Sequence, residues 1–98
     1  MEMTAGQLVH ARRAEILAVA ARHGARNVRV FGSVARGESG PESDLDLLVD
    51  WEPGRSLWDH AGLKLELEDL LGCRVDVGSA RALHWFLRDR ILAESVPL

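Results

Sequence analysis

Residues 44 to 50 read Asp-Leu-Asp-Leu-Leu-Val-Asp, and a polar–apolar alternation with a period of two fits a strand and not a helix. Extended, this segment sends Asp44, Asp46, Leu48 and Asp50 to one face and Leu45, Leu47 and Val49 to the other. One face is acidic and wet, and the other belongs to a core. A sheet with one apolar face has to be covered on that face, and helices are the usual cover.

The flanking sequence supplies partners for this strand. Asn27 to Phe31 is a short β-branched run that stops at Gly32. Gly32 to Pro41 then holds three glycines, two serines and a proline in ten residues, which predicts a loop with room for one helical turn after Ser33. Cys73 to Val77 forms a third strand, with Arg74 and Asp76 facing opposite to Val75 and Val77.

Helical spacing fills the remainder. Leu8, Val9, Ile16, Leu17, Val19 and Ala20 predict one amphipathic helix from Thr4 to His23, with Thr4 and Gln7 as a capping box and Gly24 as its stop. After the turn Glu52-Pro53-Gly54-Arg55, the start signal Ser56-x-x-Asp59 precedes a stripe of Leu63, Leu67, Leu70 and Leu71, closed by Gly72. A last helix is predicted from a Ser79 cap, through Leu83, Phe86, Leu87 and Ile91, to a stop at Pro97.

With 98 residues there is room for one core and one domain, spanning 1–98 with an N-terminal helix over 1–24 and a catalytic core over 27–96. The order α, β, loop, β, α, β, α is too short for a doubly wound sheet. The expected class is α+β: a small mixed sheet with helices packed mainly on one face.

Composition narrows the partners. Twelve basic against fifteen acidic residues leave a net charge of −3, so no general attraction to nucleic acid is expected. Eleven of the twelve basic residues are Arg, which suits bidentate phosphate contacts and equally reflects residue usage. The single cysteine, Cys73, precludes an internal disulfide and points to a reducing compartment. No apolar run reaches the roughly 18 residues of a membrane span, and the first residues lack a signal-peptide pattern, so a cytoplasmic location without membrane contact is expected.

The chemistry concentrates in Gly32-Ser33, ten intervening residues, and Asp44-Leu45-Asp46, with Asp76 on the later strand. Same-face neighbours on a strand lie about 6.8 Å apart, so the Asp44 and Asp46 carboxylates can converge, and Asp76 joins them if its strand is adjacent. Three carboxylates within about 5 Å repel by roughly 3 kcal/mol per pair at an effective dielectric of about 20, which calls for a compensating cation. Oxygen-only donors suit Mg²⁺ or Mn²⁺, and a pair of such ions is the arrangement that clamps both ends of a phosphoryl displacement. Gly32 lets a phosphate approach the backbone, amides at the start of a helical turn face anions, and Ser33 adds a hydroxyl. Arg36 lies within reach of the same phosphates, and Ser43, next to Asp44, is a further nucleotide-binding candidate.

Other readings fail on specifics. Gly32 to Ser39 differs from a P-loop in having Glu38 where lysine must meet the phosphates. Asp44, Asp46 and Asp50 resemble a calcium loop except that Val49 replaces its glycine. His10, His23, His60 and His84 are scattered and share one cysteine, which makes a poor zinc set and leaves them as surface or packing residues. Trp85 is expected to pack, whereas Trp51 and Trp58 stay open between packing, base stacking and partner contact.

Gly-Ser-x10-Asp-x-Asp followed by a strand aspartate resembles the signature of the DNA polymerase β-like nucleotidyltransferase superfamily. From about Val28 to Val96 the chain is similar to its minimal nucleotidyltransferase branch, which includes the antitoxins of HEPN/MNT toxin–antitoxin pairs. By that resemblance Gly32 and Ser33 hold nucleotide phosphates, Asp44 and Asp46 bind metal, and Asp76 helps bind metal and activate the acceptor hydroxyl. It further implies ATP as substrate, two Mg²⁺ ions, and AMPylation of a HEPN-domain toxin. Two alternatives are a non-catalytic antitoxin acting by complex formation and a small-molecule nucleotidyltransferase.

Overall fold

The computed structural model describes residues 4–32, 35, 44–79 and 85–98, with the side chains of 85–87 outside that set. Among the described residues eight elements follow one another: α1 (Ala5–Ala11), α2 (Arg13–Arg22), β1 (Ala25–Phe31), β2 (Leu45–Trp51), α3 (Leu57–Leu71), β3 (Val75–Ser79), α4 (Trp85–Glu94) and β4 (Val96–Pro97). The sheet order is β3-β2-β1-β4. β1 runs antiparallel to β2 and β4, and β2 runs parallel to β3, so the sheet is mixed as expected.

Both capping boxes form. The Thr4 hydroxyl accepts the Gln7 N–H at 3.1 Å and the Gln7 side chain accepts the Thr4 N–H at 2.8 Å. Ser56 accepts from the Trp58 N–H, Asp59 accepts from the Ser56 N–H at 2.9 Å, and Gly72 ends α3 in the left-handed conformation.

Three expectations are corrected, and one falls outside the described residues. The N-terminal helix is two helices, broken at Arg12, whose φ of −108° and ψ of 17° lie outside the helical well. β1 begins two residues early and carries a bulge between Arg26 and Arg29, with Asn27 at φ 52°. Ser79 is the last residue of β3, and the helix start expected after it lies outside the described residues. The last helix ends at Glu94, ahead of Pro97, because Val96 and Pro97 pair with Val30 and Arg29 as a fourth strand.

The core lies between the sheet and α1, α2 and α3. Leu45, Leu47, Val49, Val75, Val77, Val28 and Val30 face Ile16, Val19, Leu63 and Leu67 in one cluster. Each fully buried side chain of this kind contributes about 1.5–3 kcal/mol. Glu66 of α3 fastens the end of α2 by accepting from Arg22 and pairing with His23 Nε2 at 2.9 Å. Trp51 packs against the core and stacks on His60, with ring centroids 5.7 Å apart, whereas Trp58 is 86% exposed.

Candidate active site

β1 delivers the chain to Gly32, beside its last pair, Phe31 with Asp46. Gly32 has a φ of +73°, and a Cβ there would stand 2.5 Å from Asp46 Oδ2. Only glycine allows both the turn and the carboxylate to occupy these positions.

On the other side of β2 the parallel register sets Asp46 opposite Asp76, flanked by Leu45 opposite Val75 and Leu47 opposite Val77. Paired residues on neighbouring strands lie about 4.8 Å apart and project to the same face. The flanking residues point into the core, so the two aspartates share the face away from it. Asp46 is half-buried, and the Asp76 side chain is 57% exposed on the edge strand.

Asp44 sits immediately before β2, partly buried. Its charge and that of Glu68 add to burial, the larger cause, in pushing the Cys73 thiol above its ordinary pKa. Asp46, Asp76 and Gly32 are therefore brought together by strand pairing, with Asp44 at the mouth of the same strand. Among the described residues no group of three or more His, Cys, Asp or Glu side chains is placed to hold a metal ion, so Asp44 does not converge with Asp46 and Asp76 into the expected three-carboxylate set. Asp46 and Asp76 are two carboxylates in register, hard oxygens suited to a divalent cation that keeps waters and takes further ligands from a phosphate. Ser33, Arg36 and Ser43 lie outside the described residues.

Lys64, which no sequence motif marks, stands beside this pair. Its ammonium donates to Val75 O at 2.6 Å and to Glu68 Oε2 at 3.1 Å, and lies 4.0 Å from Asp76 Oδ1. The sheet face also departs from the alternation of the sequence at Leu48, which is 1% exposed on the acidic side. α4 accounts for this: Arg88 and Leu92 close over Asn27, Arg29, Leu48 and Asp50 around a cavity of about 280 Å³. The buried Ser95 anchors that end by accepting from Arg29 Nε at 2.7 Å and donating to Leu92 O.

Residues 15–98 match the family model described as a nucleotidyltransferase domain. The chain is 44% identical over 82 residues to MJ0435 of Methanocaldococcus jannaschii, assigned as a protein adenylyltransferase, covering 84% of this chain and 88% of that one. It is 43% identical over 75 residues to the protein adenylyltransferase MntA of Thermococcus cleftensis, covering 76% of each. A solved structure assigned as a minimal nucleotidyltransferase superposes with a TM-score of 0.87 at 56% identity, over 100% of this chain and 97% of that one. A toxin–antitoxin crystal structure with AMP-PNP shares the fold, with a TM-score of 0.73 at 19% identity over 86% of this chain and 69% of that one. The paired strand aspartates beside a glycine that admits no side chain thus sit in a chain that belongs to the nucleotidyltransferase domain family and is a nucleotidyltransferase.

Proposed function

We propose that the protein transfers AMP from ATP to a hydroxyl group on a partner protein, and that the partner is a HEPN-domain toxin which the modification silences. The observation that carries this reading is the register of Asp46 against Asp76 beside Gly32, which puts two carboxylates on one sheet face next to a glycine with left-handed backbone. Its protein-modifying part is supported by the names of the relatives, two of which are protein adenylyltransferases, and the toxin partner by toxin–antitoxin structures of the same fold.

In this scheme Gly32 and Ser33 receive the triphosphate through backbone N–H groups and the serine hydroxyl, with Arg36 and Ser43 as further contacts. Asp44, Asp46 and Asp76 would hold two Mg²⁺ ions, which supply neutralisation of the phosphate charge as pyrophosphate departs. The acceptor oxygen attacks the α-phosphorus, forming the new P–O bond while the bond to the bridging oxygen of the β-phosphate breaks. Asp76, exposed on the edge strand, takes the proton from the attacking hydroxyl. Asp46, wedged against Gly32, orients the nucleotide side of the site. The cytoplasm, where ATP is available and Cys73 stays reduced, is the setting this implies.

The test is to mix the protein with the product of the neighbouring gene, ATP and Mg²⁺, and to record the neighbour's intact mass. An increase of one adenylyl group that disappears with Asp46→Asn is expected. An unchanged mass in the presence of a stable complex favours the second reading, an antitoxin acting by binding, for which the exposed Leu57 and Trp58 at the start of α3 provide an apolar contact.

A further inference from the structure

We infer that Lys64 and Glu68 form a clamp on the edge of β3 that positions Asp76 for transfer. The inference rests on the role proposed for Asp76 above.

Among the described residues β3 is the outermost strand of the sheet, paired on one side only. The ladder to β2 uses the peptide groups flanking Val75, as the bond from Leu45 N–H to Arg74 O at 2.9 Å shows. The N–H and C=O of Val75 itself consequently face outward from the edge. Both find partners on α3: Glu68 Oε2 accepts the Val75 N–H at 3.1 Å, and Lys64 donates to Val75 O at 2.6 Å. The two side chains also pair with each other at 3.1 Å. One turn of helix thus does for this peptide what a fifth strand would do, immediately before Asp76.

The charges are arranged to orient without competing. Lys64 is the chain's single lysine, and an ammonium beside a candidate metal ligand would ordinarily repel a cation. Here Glu68 balances it, and the short bond to Val75 O holds it 4.0 Å from Asp76 Oδ1, at the limit of ion pairing. Lys64 and Glu68 are 34% and 27% exposed, so the pair is better ordered than a fully solvated one. A partner that fixes the strand carrying a ligand, without ligating, is typically worth 10- to 100-fold in metal affinity or activity.

The experiment compares Lys64→Met, Lys64→Arg, Glu68→Gln, Asp76→Asn and the double variant Lys64→Met/Asp76→Asn. The readouts are Mn²⁺ binding by electron paramagnetic resonance with a non-hydrolysable ATP analogue, analogue affinity, and single-turnover transfer to the partner. Lys64→Met is expected to bind the analogue within about threefold of the native protein while losing roughly tenfold or more in transfer and in its weaker Mn²⁺ site. Lys64→Arg should recover part of that loss, and Glu68→Gln should show a smaller loss of the same kind. In the double variant Lys64→Met should add little to Asp76→Asn, since both act through one carboxylate.

Native transfer in Lys64→Met beside impaired transfer in Asp76→Asn overturns the clamp alone. Multiplying losses in the double variant also overturn it, because they mean that Lys64 acts independently of Asp76. Native transfer in Asp76→Asn overturns the role proposed for that residue and the clamp with it. Should Lys64→Met fail to fold, Lys64→Arg and Glu68→Gln decide by the same criteria.

Discussion

Asp46 rests its carboxylate where the side chain of residue 32 would have to be: Oδ2 lies 2.5 Å from the Cβ that Gly32 lacks. The left-handed backbone at this position adds a second penalty to any side chain.

Gly32→Ala should therefore destabilise the fold by about 1–2 kcal/mol from backbone strain alone. Because the nearest atom is the end of the Asp46 side chain, the methyl displaces the carboxylate rather than the sheet. Nucleotide affinity should fall more than this modest stability loss explains, as chemical denaturation and ATP titration on the same sample would show. Native ATP affinity in a strained Gly32→Ala protein would separate Asp46 from nucleotide binding.

The two paired aspartates should fail differently. Asp46→Asn is expected to weaken Mg²⁺-ATP binding and transfer together, since it alters the nucleotide side of the site. Asp76→Asn is expected to slow transfer on the order of 10²-fold or more while changing Mg²⁺-ATP affinity by less than about tenfold, the pattern of a base used mainly in the transition state. Calorimetry and single-turnover kinetics measure the two quantities, and lost ATP binding in Asp76→Asn would make it another nucleotide-side ligand.

Acid should loosen the molecule through a small set of carboxylates. Glu68 is held below the usual carboxyl range by the Val75 N–H and then Lys64, and Glu66 by His23 and then Arg22. Glu52 is lowered by Arg26 before Arg55, and Asp59 by the Ser56 N–H before Arg55. Each folded-state pKa lies below its unfolded value, so the stability these groups contribute is complete above the ordinary carboxyl range, around pH 4–5, and is lost as pH falls through the folded values. Melting temperatures measured from pH 7 downward should drop below about pH 5, and Glu68→Gln should flatten part of that drop. An unchanged slope would remove Glu68 from the linkage.

Cys73 should be a slow nucleophile at neutral pH. Burial, then the charges of Asp44 and Glu68, raise its pKa, so the thiolate is scarcer than in a free thiol. Iodoacetamide should modify it more slowly than N-acetylcysteine at pH 8, with a rate that climbs at higher pH than the reference compound's. Faster modification than the reference would contradict the partly buried, anionic surroundings.

Much of this arrangement was legible locally. The alternation of Asp44 to Val49 and of Arg74 to Val77 assigned strands and faces, and Thr4, Ser56 and Gly72 marked helix ends through short-range hydrogen bonds that depend on a few neighbouring residues. What escaped depends on distant partners. Nothing around Arg12 announces a helix break, and Val96-Pro97 becomes a strand only because β1 has a free edge to offer. Leu48 reads as solvent-facing until α4 folds over it. Lys64 looks like an ordinary charge on a helix, because its significance lies in a peptide group eleven residues away that points out of a sheet the local pattern does not show to end there.

An unpaired outer strand offers hydrogen-bonding groups to any other extended chain, and sheets left open in this way are templates for edge-to-edge association. In this molecule the outward N–H and C=O of Val75 are already taken by Glu68 and Lys64. A second chain approaching β3 at Val75 would have to displace a charged pair before bonding to that residue's backbone. Next to Asp76 the edge is thus closed to strand pairing while the carboxylate itself stays open to a substrate.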